Sequence, residues 1–450
     1  MQLTAQRGTA APFAALLVAV LSFSLLQTMP VPALPDLQRA FGAGPVTVSW
    51  VLSAFLLTAS VATGLLGRLG DMFGRRRVLL ACLAVSAAGT LLAALAGSIG
   101  VLIAARAVQG VGAATFPLAF GIVRDGFPRE RVPVAIGWIS STFGIGFGVG
   151  LVLPGLIVDA LSWQWIFWLM LVVILAGLVA VWAFVPDSPA RAPGRLDWAG
   201  AVLLTGGLVA LLLAIGQRWG LAPRLGLLAV AVVLLVVFWV VESRLAAPLI
   251  DVSLLRRRSV LTSHVTALII GFGMYGAFTL VPLLVETPSR LGYGFDASVT
   301  GAGLFIIPMA VTMLFASPLA GRLGARVGFK VPLVAACVVG AAGFVVLAVA
   351  HDTAWPIYLA NGVLGIGVGL AFSALANLVV AAVTPAQTGE ATGINTIMRT
   401  IGGTFGAQIA STIVASSAGE SGYTTAFWLS AAALAVAALS ALAGPGGRRA

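Results

Sequence analysis

Charge is what this 450-residue sequence has least of. Only 9% of its residues are charged, while 60% are hydrophobic and the mean hydropathy is +1.09. An ordinary soluble domain carries about 25% charged residues, so the composition excludes a chain wetted on all sides and places this one in a bilayer. Lysine is almost absent, with Lys330 alone among 25 basic residues. A net charge of +11 would ordinarily raise nucleic acid as a partner. Here the arginines sit in short loops between apolar runs, the pattern that membrane topology produces, and no nucleic-acid partner is expected. Two cysteines (Cys82, Cys337) and two histidines (His264, His351) cannot build a metal site or a disulfide framework. There is no G-x-x-x-x-G-K-[ST] cradle for ATP and no nucleophile–base set, so neither a cofactor nor an enzymatic activity is expected.

What is abundant is long apolar runs. A spanning helix needs about 20 mostly apolar residues. That window gives fourteen candidates, at roughly 12–34, 48–66, 78–96, 101–123, 133–157, 163–185, 197–216, 225–243, 259–284, 299–320, 331–350, 355–382, 391–416 and 424–443. The first is longer than the apolar core of a cleaved signal and reads as a retained helix. The fold class predicted is an all-α integral membrane protein. Placing the N-terminus in the cytoplasm leaves four arginines in outer segments, Arg39, Arg218, Arg224 and Arg290, and two within spans, Arg106 and Arg399. The other nineteen basic residues are then cytoplasmic, a strong positive-inside asymmetry that also puts the C-terminus inside. The predicted location is the cell membrane.

One segment occurs twice. "GRLGDMFGRRR" at 67–77 returns as "GRLGARVGFK" at 321–330, joining spans 2 and 3 and then spans 10 and 11. The likeness continues beyond the loop, since "ARAVQGVG" (105–112) aligns with "ANGVLGIG" (360–367), pairing Arg106 with Asn361 and Gly110 with Gly365. Spans 1–6 and 9–14 therefore read as two related six-helix bundles with spans 7 and 8 inserted between them. The expected divisions are 1–190, 191–250 and 251–450. Parallel repeats with a site at their interface are a transporter architecture.

At 67–77 the sequence resembles the major facilitator superfamily, whose signature G-x-L-x-D-x-x-G-R-[RK]-x is matched by Gly67, Asp71, Gly74, Arg75 and Arg76. In that family the loop is a gating latch between the two halves. The second copy has Ala325 where Asp71 stands in the first. "RAVQGVGAA" (106–114), "GIGFGVGLVLPG" (144–155), "WQWIF" (163–167) and "GINTIMRTIGGTFG" (393–406) are similar to motifs of its fourteen-helix drug:proton antiporter branch. Gly144/Gly148 and Gly146/Gly150 form overlapping G-x-x-x-G pairs that permit close helix approach, and Pro154 stands where that branch has a glycine. Helix packing accounts for these glycines as well as antiport does.

The resemblance implies alternating-access transport of a small molecule, as proton-driven efflux or, alternatively, as an anion or metabolite permease. Candidate substrate or coupling residues are the polar groups inside spans: Arg106, Gln109, Gln27, Asn361, Asn395 and Arg399. An arginine in a span should face the bundle interior and a partner. The chief departure is in span 1, "LLQTMPVPALP" (25–35), where Leu26 replaces the branch's acid. All fourteen acidic residues fall in loops or at helix ends. Asp36, Asp71, Glu286 and His264 are the nearest titratable groups for a coupling proton.

Overall fold

Helix punctuation sets the architecture. The computed structural model describes residues 2–187, 197–216, 220–245, 258–417 and 419–444, and helix dominates throughout. The expected divisions at 190/191 and 250/251 lie outside the described residues.

The first helix, α1 (Gln2–Thr28), stops earlier than its apolar run because Met29 precedes Pro30, and a residue before proline is pushed out of the helical region. The chain then forms a short helix that hydropathy did not foretell, α2 (Leu34–Phe41), which tucks Leu37 inward. Next come α3 (Pro45–Phe73) and α4 (Arg75–Ala94). Gly74 between them has φ 102°, which a residue with a Cβ adopts only under strain.

Span 4 is one rod in three pieces: α5 (Ile99–Gln109), a 3₁₀ turn (Gly110–Ala114) and α6 (Thr115–Gly126). After it come α7 (Val132–Ala160), α8 (Gln164–Phe184), α9 (Trp198–Gly216), α10 (Leu221–Glu242) and α11 (Arg258–Glu286). The chain continues through α12 (Val299–Val327), α13 (Lys330–Val349), α14 (Ala354–Ala382), α15 (Thr388–Ser416) and α16 (Ser421–Ala443).

Among the described residues, thirteen candidate spans meet the length and apolarity needed to cross a membrane. The helix left out is α15. At 29 residues it is about 43 Å long at 1.5 Å per residue, ample for a bilayer. Its sequence carries Glu390, Asn395, Arg399 and Gln408 with a run of threonines, and these lower its hydropathy.

The repeat read in the sequence reappears in the packing. Gly74 before α4 has its counterpart in Gly328 before α13, with φ 89°. A Cβ on Gly110 would lie 2.6 Å from the Phe55 carbonyl oxygen of α3, and one on Gly365 would lie 2.2 Å from that of Met309 in α12. Two residues on, Gly112 closes against Ser86 of α4 and Gly367 against the Gly340 backbone of α13. The same glycines thus seat the same helix pairs among α1–α8 and among α11–α16. The two groups meet along α3 with α15 and along α7 with α12 and α14. The pair α9 and α10 packs together, and α9 reaches α3 and α15, with Leu208 and Leu212 against Ile397 and Ile401.

Candidate functional site

At the face carrying the duplicated loop, α3 and α15 come into backbone contact. A Cβ on Gly67 would lie 2.5 Å from the Gly389 carbonyl oxygen, and one on Gly389 2.4 Å from that of Gly67. This approach carries Asp71 into a fully buried position. Its Oδ1 accepts from Arg75 Nε (2.9 Å) and Nη2 (2.7 Å), and its Oδ2 accepts from the backbone N–H of Glu390 (3.1 Å). Arg75, equally buried, also donates to the Gly121 carbonyl (3.1 Å), to Asp125 and to the Pro385 carbonyl. Arg124 reaches the carbonyls of Val383 (2.6 Å) and Thr384 (3.1 Å), and Arg68 pairs with Glu390 at 3.2 Å.

Asp71, Arg75, Arg68 and Arg124 therefore all bond from the first helix group to the segment 383–390 of the last. Arg76 differs, bonding Asp187 (3.0 Å) and the Trp182 carbonyl (2.7 Å) at the end of α8. Near the second copy, the first group is met by a backbone approach and by a side-chain amide. A Cβ on Gly321 would lie 2.3 Å from the Pro133 carbonyl oxygen, and Asn377 Nδ2 donates to that same oxygen at 3.3 Å. Ala325 stands where no acid is used.

Along α7 the two glycine pairs face different neighbours. Cβ atoms on Gly144 and Gly148 would meet Met313 (3.0 Å) and Ala310 (2.6 Å) of α12. Those on Gly146 and Gly150 would meet Ser24 (2.4 Å) and Thr28 (1.9 Å) of α1. Thr28 Oγ1 also donates to the Gly146 carbonyl at 2.8 Å. Pro154 is buried within the same helix.

Toward the opposite face α3 and α15 part, and a cleft opens between the groups. Two cavities of about 280 and 540 Å³ share Gln27, Leu56 and Tyr275. The larger reaches Pro32 and Pro35 beyond α1 and Glu286 at the end of α11. Aromatic rings cross between the groups beside the cleft. Phe143 lies 5.4 Å from Phe372, and Phe147 stacks on Phe278 with centroids 4.0 Å apart.

The sequence-derived candidates separate here. Gln27 and Arg399 line the cleft. Arg106 is fully buried, held by donating to the carbonyls of Val51 (3.0 Å) and Leu26 (2.8 Å) and to Gln109 Oε1 (2.6 Å), with Cζ 4.2 Å from the Phe55 ring centroid. It faces the interior and borders the larger cavity, and its Nη2 has no partner among the described residues. Gln109 turns to Thr90 (3.0 Å), away from both cavities. Asn361 is buried and donates to the Ile357 carbonyl of its own helix (2.9 Å). Asn395 borders a small pocket beneath Arg399 and meets the Ser263 carbonyl (3.4 Å) and His264 Nδ1 (3.3 Å).

Sequence reasoning passed over Tyr275, which hydrogen-bonds Gln27, and the polar stripe of α15. Thr396, Thr400, Thr404 and Gln408 line the cleft at every fourth residue, a helical-face spacing readable beforehand.

The profile of the Major Facilitator Superfamily matches residues 16–407 and again 264–446. The chain belongs to the major facilitator superfamily. The uncharacterized MFS-type transporter Rv1877 of Mycobacterium tuberculosis is 33% identical over 378 residues, 82% of this chain and 54% of its own length. The multidrug transporter protein MdtP of Bacillus subtilis is 28% identical, over 79% of this chain and 66% of its own. The tetracenomycin C resistance and export protein of Streptomyces glaucescens is 30% identical, over 73% and 61%. The chain thus spans between about half and two thirds of the length of these relatives. Among solved structures, the human organic anion transporter MFSD10 superposes with a TM-score of 0.72 at 18% identity, covering 97% of this chain and 99% of that one. That likeness is one of fold.

Proposed function

We propose that this superfamily member is a secondary transporter of small molecules working by alternating access, a drug exporter driven by the proton gradient. The observation that carries the reading is a cleft between two repeat-related helix groups, sealed at one face by Asp71, Arg75 and Glu390 and open at the other. A sealed and an open end are what one state of such a cycle requires. The printed names of MdtP and the tetracenomycin exporter support export.

The reading includes fourteen spans arranged as two six-helix halves, 1–190 and 251–450, with an inserted pair at 191–250. It places the loop face in the cytoplasm of a cell-membrane protein, with both termini inside. It uses neither ATP nor a catalytic step. The coupling proton falls to Glu286, at the mouth of the cleft, or His264, behind Asn395. Asp36 pairs with Arg39 on the surface and Asp71 is spent in the seal.

Proteoliposomes given an imposed proton gradient test this with charged and neutral compounds. Gradient-dependent movement that is lost in Glu286→Gln or His264→Asn would support the reading, and movement indifferent to the gradient would count against coupling. An anion or metabolite permease is the second reading, favoured by the arginine at the floor of the cleft.

A further inference from the structure

The two intramembrane arginines are held in opposite ways. Arg106 behaves as a structural cation should: it bonds two backbone carbonyls and a glutamine, and in doing so ties α5 to α1 and α3. The guanidinium of Arg399, next to Thr400 of the α15 stripe that lines the cleft, makes no hydrogen bond and no ion pair with any described residue. Its Nε is buried without a partner. What it does have is aromatic cover. Its Cζ lies 3.8 Å from the Phe372 ring centroid and 5.6 Å from that of Phe143.

A guanidinium with a ring against its face keeps its N–H donors at its edges, in the plane where a carboxylate or sulfonate binds two at once. Here those donors lie at the cleft wall, with Tyr275, Gln27 and Thr400 around the same space and Phe116 and Phe143 beside them. Among the described residues, the carboxylate lining the cavities is Glu286, at the far mouth of the larger one. Among the described residues, no carboxylate stands near Arg399 to neutralise it or to receive a cation, and the group whose charge it senses is the Tyr275 hydroxyl.

We propose that Arg399 is the recognition site for an aromatic organic anion, a carboxylate or sulfonate carried on a flat ring system. The acid group docks on the guanidinium edge and the ring packs on the Phe116–Phe143 wall. Arg106, whose Nη2 is unpartnered at the wall of the larger cavity, is a second cation on the route toward the open face. The inference rests on the transport reading for its biological meaning, while the site itself can be tested by binding alone.

Three probes share one ring and differ in charge: 2-naphthoate, 2-naphthamide and 2-naphthyltrimethylammonium. Equilibrium binding of each is measured on the full chain in nanodiscs of zwitterionic lipid. Naphthoate should bind about tenfold tighter than the amide, with the ammonium weakest, as a charge-assisted bidentate contact predicts. Arg399→Gln should bring naphthoate to the level of the amide in the same variant, and Arg399→Lys should restore part of the difference. Melting of each variant reports its folding, and the order of the three probes on the unmodified chain decides the matter should neither variant fold. An ammonium that binds tightest, or a naphthoate preference unchanged by Arg399→Gln, would overturn the proposal. Naphthoate preference in a chain that moves no solute in proteoliposomes would sink the transport reading and uphold the site.

Discussion

Asp71 and Ala325 occupy matching places in two copies of one loop, and their surroundings explain why only one is acidic. Asp71 is a buried acceptor for three N–H groups, one of them across the seam on Glu390. Ala325 is exposed, and its side of the seam is closed by the Gly321–Pro133 backbone approach. The presence of the carboxylate was legible in the sequence, and so was its loss from the second copy. Its partner was not, because Glu390 lies 319 residues away and donates through its backbone. Asp71→Asn keeps the shape but removes the charge from hydrogen bonds worth about 1.5–3 kcal/mol each. The variant should insert and fold, and its sealed state should lose about tenfold or more in population. Transport rate and cysteine accessibility at the loop face would read that shift, and full transport with an unchanged seal would reduce Asp71 to a topology anchor.

Arg106 makes a contrasting case at the same scale. Its guanidinium bonds the carbonyls of Leu26 and Val51. Leu26, four residues before Pro30, has no helical N–H to replace it, so Arg106→Ala leaves that acceptor unpaired at a cost of about 1–3 kcal/mol. Asn361→Ala removes one bond within its own helix. The melting temperature should therefore fall further for Arg106→Ala than for Asn361→Ala. The reverse order would show that Arg106 is not what ties α5 to α1 and α3.

Among the helices, α7 and α15 illustrate what periodicity can and cannot reveal. The overlapping glycine pairs of α7 announced close packing, but not that one pair serves α1 and the other α12. Two G-x-x-x-G frames offset by two residues point to different sides of a helix, so two neighbours could have been inferred, though not named. Overpacking such a contact costs about 1–3 kcal/mol. Gly146→Ala pushes on Ser24 within the first group and should lower the melting temperature. Gly148→Ala pushes on Ala310 across the seam and should change the balance between sealed and open states more than it changes melting. Equal effects on both measurements from both variants would deny that the two faces have separate duties.

On α15 the stripe Thr396–Thr400–Thr404 could be counted in the sequence. Each hydroxyl bonds the carbonyl four residues back, which lets a polar helix face line a cleft without leaving its donors bare. The same polarity put α15 below the hydropathy of its neighbours, so the helix that contributes most to the cleft is the one composition identifies least well as a span. The short α2 was missed for a related reason: its mixed sequence between prolines carries no run of either period.

For the molecule as a whole, the arginine asymmetry gave an orientation and the packing adds an independent constraint. The seal and the duplicated loops lie at one face, and the α11–α12 connection, with Ser289 and Asp296 bonded to each other, lies at the other beside the open cleft. Ser289 holds the Asp296 carboxyl below its usual range, so Arg290 is the better place for a probe there. The matching position at the sealed face is Glu130, exposed in the connection between α6 and α7. With the loop face in the cytoplasm, Arg290→Cys should react with a membrane-impermeant thiol reagent in intact cells, and Glu130→Cys should react only after the membrane is opened. Cys82 and Cys337 are both buried and should give little background. A third probe separates orientation from conformation: Ser53→Cys, on the α3 wall of the cleft, should label from outside while the seal holds. It should become protected when a bound substrate or a shift to the other state closes that mouth. External labelling of Glu130→Cys would invert the assigned topology. Constant labelling of Ser53→Cys under conditions that drive transport would instead leave the orientation intact and remove the alternating mouth from the mechanism.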